Sequence, residues 1–494
     1  MTQLNTILAK LSEQGLQSLL CGGLKGIEKE SLRLNQQGLI AQTQHPIGLG
    51  SALTHPFITT DYSEALIELI TPPFAETTAS LAYLTNIHQF VYQHLADEFL
   101  LASSMPCGID GDEGIRIAEY GNSNIGRMKH IYRHGLAHRY GKTMQVIAGI
   151  HFNYSVPEAL WPVLQKLTNS SLTLEDFTAN TYFGLVRNFQ RIGWLILYLF
   201  GASPALCKSF FKDRPELLSQ FQTFDNDTLY HPYATSLRMS DIGYKSKNQA
   251  NLNINYNSLL GYVDSLCKAI STPFPDYQAI GIVDNGVYKQ LNANILQIEN
   301  EFYNIIRPKQ IAESCERPTV ALRRRGVRYI EIRSLDLDIS NAIGISAETA
   351  YFIEILLLSC LLSESSPFSD DEHIILNANQ LKVAHEGRKP GLLLQQAQHA
   401  IPLKDWAFAI LTNLEPLAKC LDANNPEQPY SQALRKQINR VENPDLTPSA
   451  NLLANMTQTG QSFAEYAENV SKHYAETFKP VSYTHLTLPT ILLV

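Results

Sequence analysis

Acidic residues recur in this chain at strand-like spacing. Glu28 and Glu30 stand two apart, Glu64 and Glu68 follow Asp61, and Glu331 lies in an alternating run of its own. Residues two apart in a strand project from one face. If these strands share a sheet, the carboxylates converge, and ionised carboxylates brought together repel until they take up protons or a divalent cation. Hard cations such as Mg²⁺ take oxygen ligands, and a site holding several of them suits phosphate chemistry. Taken singly, each acid is equally well read as half of an ion pair on a wet sheet face.

His151 joins this group because Met144 to Ser155 alternates, with Val146, Ala148, Ile150, Phe152 and Tyr154 on one face and Gln145, Gly149, His151, Asn153 and Ser155 on the other. By periodicity alone a single strand histidine is a hydrogen-bonded structural residue as readily as a ligand. Arg238, in Ala234-Thr-Ser-Leu-Arg-Met-Ser-Asp241, and Arg333, in Tyr329-Ile-Glu-Ile-Arg-Ser334, are permanently charged forks suited to phosphoryl oxygens or to surface ion pairs. Arg333 shares its face with Glu331. The chain has no GxxxxGK[ST] loop, no strand-GxGxxG-helix unit and no GxSxG elbow, which argues against P-loop, dinucleotide-fold and serine-hydrolase sites. Glu386-Gly-Arg-Lys-Pro-Gly-Leu392 offers two cations beside two glycines, and reads more readily as a helix-ending loop than as a phosphate grip.

The elements that must position these residues follow from hydrophobic period. Strands are expected over Leu24 to Leu34, around Ala65, Ile67 and Leu69, over Met144 to Ser155 and over Val327 to Leu335, with their charges on the face away from the core. Apolar stripes of helical period run through Leu4 to Leu20, Leu81 to Leu100, Thr181 to Leu199, Ala347 to Leu362, Gln395 to Leu421 and Ser462 to Thr477. Strands gather early and helices late, without strict alternation. The expected class is α+β, a mostly antiparallel sheet with helices around it.

The 494 residues carry 39 Lys+Arg against 47 Asp+Glu, a net charge of −8, which disfavours nucleic acid and anionic membranes as partners. With 45% hydrophobic and 17% charged residues the composition is that of a globular chain. The uncharged run Ile192 to Cys207 is broken by Gly193, Gly201 and Pro204 and reads as buried core, not as a membrane span. Seven scattered cysteines without a CxxC pair indicate a reducing compartment, and the N-terminus lacks a signal-peptide pattern, so a cytoplasmic location is expected. Residues 1–480 read as one catalytic domain. Residues 481–494 contain no acid, Lys or Arg and resemble translated cloning adaptor, the alternative being a β-prone tail.

Several motifs together carry a resemblance. Gly26-Ile-Glu-Lys-Glu-Ser-Leu-Arg33, Leu53-Thr-His55, Ile58 to Thr71, Gln145 to Ser155, Pro232 to Tyr244, Leu296-Gln-Ile-Glu-Asn-Glu-Phe-Tyr303 and Tyr329 to Asp336 resemble the γ-proteobacterial type of glutamate–cysteine ligase, and the likeness runs to about Phe478. The resemblance implies a fold related to glutamine synthetase, a curved antiparallel sheet forming a funnel among helices. It also implies ATP-dependent joining of the L-glutamate γ-carboxylate to the L-cysteine amine through a γ-glutamyl phosphate, the first step of glutathione biosynthesis. Mg²⁺ is the implied metal, with Mn²⁺ as an alternative, and ATP the co-substrate; a monomer is expected, though the sequence does not fix the oligomeric state.

Carried over residue by residue, the metal ligands fall on Glu28, Glu30, Asp61, Glu68, His151 and Glu331, most of which alternation had already set on polar faces. Arg238 and Arg333 take the positions beside the transferred phosphoryl group, and Tyr62, Tyr132, Arg133, Tyr244 and Tyr303 those lining the amino-acid pocket, with the aromatics around the cysteine side. Two departures stand out. Leu337-Asp-Ile-Ser340 replaces a stretch that usually holds Pro-Phe, and the region beyond Lys479 lacks the family's further helix. A γ-glutamyl ligase with another amine acceptor, a guanidino phosphotransferase, a metal-dependent hydrolase and a non-catalytic relative remain the alternatives.

Overall fold

The computed structural model describes residues 3–243, 249, 252–369 and 371–479. Tyr244 and the segment 481–494 lie outside the described residues. The central element is β1, Leu24–Asn35, a twelve-residue strand. The other strands of its sheet are β2 (Ile58–Thr60), β3 (Leu66–Ile70), β4 (Glu98–Leu100), β5 (Ile150–Ser155), β6 (Ile306–Lys309) and β7 (Tyr329–Leu335). Their order is β6-β7-β5-β1-β3-β2, with β4 continuing the pairing at the far end of β1. Every neighbouring pair is antiparallel. The class is therefore α+β: an open, antiparallel sheet with helices packed around it, as the hydrophobic periods indicate.

The reverse face of β1 departs from the expectation that charge avoids the core side. Lys25, Lys29 and Arg33 project there together with Ile27 and Ser31, all buried. Lys25 reaches Glu354 on the helix Ala347–Leu362, with Nζ 3.0 Å from Oε2, and Lys29 reaches His88 on the helix Thr77–His94. Arg33 instead pairs with Glu98 on β4, so each of these buried charges or amines has a partner, the condition under which such groups are tolerated inside. The helix Ala347–Leu362 is apolar on every side, burying Phe352, Ile353, Ile355, Leu356, Leu357 and Leu358, so its single expected stripe is replaced by burial all round.

Other boundaries shift for local reasons. Ladder pairing in the expected strand Met144 to Ser155 begins only at Ile150, while Thr143–Val146 form a 3-10 turn and the Gly149 N–H is taken by the Glu30 carboxylate. The expected helix over Leu81 to Leu100 spans Thr77–His94, and Glu98–Leu100 instead pair with β1 as β4. Gln395 lies in a hairpin, Leu393–Gln396 with His399–Pro402, and the helix begins at Leu403 after Pro402. The run from Trp194 is core, a buried helix to Phe200 and a buried strand Ala205–Cys207. Among the described residues no helix is long and apolar enough to cross a membrane.

Candidate active site

Register brings the acids together. Glu28 on β1 faces His151 on β5, Glu30 faces Glu68 on β3, and Glu331 on β7 faces Asn153, two positions from His151 on β5. Ligand atoms of Glu28, His151 and Glu331 all lie within 4.8 Å of one another. His151 Nδ1 is 3.0 Å from Glu28 Oε2, and Asn153 Nδ2 donates to Glu28 Oε1 at 2.9 Å. Glu331, 1% exposed, has Lys309 Nζ at 3.2 Å and Arg333 Nη1 at 3.1 Å.

A second group adjoins the first. Glu30 Oε1 lies 3.7 Å from His151 Nε2, while its Oε2 accepts the Gly149 N–H at 2.7 Å. Asp61, at the end of β2, receives Arg133 Nε on its backbone carbonyl and stands close enough for its charge to act on Glu30 and Glu68. Glu64 is not a member. Its carboxylate turns away from the sheet and accepts the backbone N–H groups of His45 and Glu119.

The two groups have opposite electrostatics. Burial pushes the Glu68 carboxyl well above the usual carboxylate range, and the charges of Glu28, Asp61 and Glu30 add to it. Glu30 is also raised, by burial and by Asp61 against the pull of His151, Arg238 and Arg333. Burial works against ionisation of Glu331 too, but Lys309, Arg333, His151 and Arg307 hold it well below the usual range. At Glu28 burial is again the largest influence and works against ionisation, but the His151 hydrogen bond together with the charges of His151 and Lys309 leaves the carboxyl lowered. Carboxylates held this close, with too few cations on the Glu68 side, match the donor chemistry of a hard divalent ion.

Arg238 and Arg333 meet above this floor. Arg238, 2% exposed, donates from Nη2 to the Arg333 carbonyl at 2.9 Å and stands 3.7 Å from Asp336. Its guanidinium lies so close to Gly149 that an added Cβ there would come within 2.0 Å of Nη2. Only glycine fits at that position. His151, Arg238, Arg333 and Tyr303 line a cleft of about 600 Å³ whose far walls include Leu252, Ile254, Phe368 and Leu376.

Tyr62, Tyr132, Arg133 and Tyr303, the residues expected to line an amino-acid pocket, stand close to one another and to Asp61. Arg133 lies over the Tyr120 ring at 4.6 Å as well as bonding Asp61. Tyr303 OH donates to Gln145 Oε1 at 3.3 Å. The Tyr62 hydroxyl and Gln145 Nε2 are buried polar atoms with no protein partner, the kind of atom a bound ligand satisfies. Tyr62 is 1% exposed, and burial raises its hydroxyl pKa far above the ordinary tyrosine value.

Sequence reasoning did not single out Gln145, Asn153 or Lys309. The first two lie on the polar face of the alternating run containing His151, so the signal was present but attached to no charge. Lys309 reaches Glu331 only because β6 pairs with β7. The Glu386 to Leu392 segment ends a helix as read: Arg388 is spent on the backbone carbonyls of Pro232 and Ala234, and Lys389 on Glu386.

Residues 8–383 match the family model described as glutamate-cysteine ligase. A glutamate–cysteine ligase of Azotobacter vinelandii is 50% identical over 475 residues, covering 96% of this chain and 89% of that protein. The crystal structure of glutamate–cysteine ligase from Francisella tularensis in complex with AMP superposes with a TM-score of 0.87 at 38% identity, covering 94% of this chain and 90% of that one. A bifunctional glutathione synthetase from Pasteurella multocida superposes at TM-score 0.76 and 26% identity, over 97% of this chain and 55% of that one.

Proposed function

The chain belongs to the glutamate–cysteine ligase family, and on that premise we propose how its residues divide the work. It joins L-glutamate to L-cysteine with ATP, the first step of glutathione biosynthesis. The roles of individual residues, the metal and the path through a γ-glutamyl phosphate are our reading.

Glu28, His151 and Glu331 hold one Mg²⁺, and Glu30, Glu68 and Asp61 take part in holding another. The observation that carries this reading is the three-donor cluster within 4.8 Å beside carboxylates that repel one another. Mg²⁺ bound there offsets the charge that a triphosphate and a γ-carboxylate bring together. Arg238 and Arg333 contribute fixed forks for phosphoryl oxygens, and the burial of Arg238 strengthens its contacts because little water competes. The apolar end of the cleft suits a nucleotide base, in keeping with the AMP bound by the Francisella relative. Tyr62 OH and Gln145 Nε2 bond polar atoms of the amino-acid substrates, while Tyr132 and Tyr303 supply apolar walls toward the cysteine side and Arg133 a fixed charge.

Residues 1–480 form one catalytic unit in this reading, supported by a continuous core from Leu4 to Phe478. The cytoplasm is the proposed location, in keeping with seven free cysteines. The test is ADP release from Mg²⁺-ATP and L-glutamate, comparing L-cysteine with L-2-aminobutyrate, ammonia and putrescine. Turnover confined to cysteine and its isostere supports the acceptor reading. Glu28→Gln or Glu331→Gln should lower it by on the order of a hundredfold or more. Unchanged turnover in both variants refutes the metal assignment.

A further inference from the structure

The helix Asn124–Tyr140, which presents Tyr132 and Arg133 to the amino-acid pocket, carries a second arrangement of metal-ligand type. His130 and His134 are one turn apart and half-buried, and their Nε2 atoms are 3.0 Å from each other. His130 Nδ1 lies 2.8 Å from the Ala118 carbonyl. A carbonyl can only accept, so Nδ1 carries the proton and the Nε2 of the neutral ring is a bare donor atom facing His134. A backbone carbonyl behind the ring is also the partner that metal-bound histidines commonly have.

The rings do not point straight at one another. In a linear hydrogen bond between nitrogens 3.0 Å apart, the ring centroids would be about 5.3 Å apart, since each lies about 1.15 Å behind its nitrogen. They are 4.6 Å apart, with the planes at 75°. The nitrogen axes therefore lean away from the line joining them, so the pair is not held by a straight hydrogen bond between the two rings. Burial, followed by the neighbouring charges of His130, His138 and Lys142, brings the His134 imidazole down to about 4, so this ring is neutral at physiological pH.

We propose that His130 and His134 form a two-imidazole site for a divalent ion of the Zn²⁺, Ni²⁺ or Cu²⁺ class, separate from the carboxylate cluster. Imidazole favours these ions, whereas Mg²⁺ prefers oxygen, so the two sites select different metals. Water completes the coordination, with the exposed His138 one turn further along the helix. Lys142 nearby adds positive charge and keeps the affinity moderate. An ion held at i and i+4 clamps the helical turn that contains Tyr132 and Arg133, and by binding only the folded chain it raises thermal stability.

The experiment uses the full chain in millimolar Mg²⁺, with the exposed thiols of Cys21 and Cys315 alkylated. Ni²⁺ is titrated by calorimetry, and one equivalent of Cu²⁺ is examined by electron paramagnetic resonance. The expected result is one site, nitrogen splitting from two imidazoles, and a rise in Tm with Ni²⁺. His130→Ala and His134→Gln should weaken binding by about tenfold or more, and His151→Ala should leave it in place. His134→Gln keeps a side chain able to hydrogen bond His130, so its loss of binding separates chelation from a mere histidine pair. Circular dichroism checks that the variants fold. Binding that survives His134→Gln, or that disappears only with His151→Ala, overturns the proposal, as does the absence of saturable Ni²⁺ binding.

Discussion

Lys29 Nζ lies 2.8 Å from His88 Nε2 in the core behind the carboxylate cluster. His88 Nδ1 faces the Leu84 carbonyl at 2.8 Å and must donate to it, so Nε2 is the acceptor and Lys29 the donor. The His88 ring stacks on Phe478. Lys29 lies between Glu28 and Glu30 in the chain but points to the opposite face, so one strand holds acids toward the cleft and an amine toward the helices.

That amine makes stability depend on pH. Burial pulls the Lys29 ammonium down to about 7, whereas an unfolded lysine titrates near 10.4. Between about pH 7 and pH 10 the unfolded chain keeps a proton that the folded chain has released. The contribution of Lys29 to stability therefore rises with pH across this window, and below it the penalty is fully present. Denaturant unfolding at pH 7, 8 and 9 should give a shallower rise for Lys29→Met/His88→Leu than for the wild type. Parallel slopes would show that Lys29 does not titrate there. Lys29→Met alone should be less stable than the double variant, because it leaves His88 Nε2 without its donor, at about 1–3 kcal/mol.

Arg139 and Glu301 form a buried hub behind Tyr303, which we assign to the amino-acid pocket. Their buried ion pair is 2.9 Å long, and Tyr140 OH donates to the same Glu301 oxygen at 2.8 Å. Gln249 donates to the Glu301 carbonyl and accepts the Tyr303 N–H at 3.0 Å, which links this hub to the pocket. Glu301→Gln should cost about 3 kcal/mol by leaving Arg139 unbalanced. The milder Tyr140→Phe should fold and raise the KM for L-cysteine roughly tenfold, a loss worth about one hydrogen bond. Steady-state kinetics with each substrate varied in turn checks this, since equal changes for all three would indicate general loosening.

Gly149→Ala should abolish most activity without unfolding the chain. The added methyl group overlaps the Arg238 guanidinium, which must shift from its place beside the Arg333 carbonyl. A displacement of about 1 Å in a charge-stabilising group costs on the order of a hundredfold in rate. Circular dichroism together with kcat distinguishes this from misfolding.

Metal binding should release protons. Glu68 and Glu30 have carboxyls raised by burial and by their neighbours' charges, so each holds its proton to higher pH than an ordinary carboxyl and must release it to become a ligand. Mg²⁺ titration in buffers of differing ionisation enthalpy should show proton release that grows as pH falls. Glu68→Gln should reduce it.

Much of this arrangement is legible in the chain itself. Alternation puts Glu28 with Glu30, Glu331 with Arg333, and His151 with Asn153 on single strand faces, because strand geometry sends every second side chain the same way whatever the partner. The same rule could not separate Glu64 from Glu68. Glu64 precedes β3, and its carboxylate is claimed by the N–H groups of His45 and Glu119, contacts set by loops distant in sequence. Nor could it find the hairpin at Gln395 or the shortened strand at Ile150, where pairing and a side-chain bond from Glu30 override local pattern.

Local residue order determined the α+β class, the strand faces and the types of side chain available for chemistry, because each follows from backbone period and composition. Tertiary structure decided which acids come together, which tyrosine and glutamine atoms are left without a protein partner, and that Lys25 and Lys29 enter the core. Those outcomes depend on strand register and on the helices that bring Glu354 and His88 to meet the lysines, contacts between residues tens to hundreds of positions apart. Burial then sets the electrostatics, since the same carboxylate is raised at Glu68 and lowered at Glu331 according to which charges the fold places beside it.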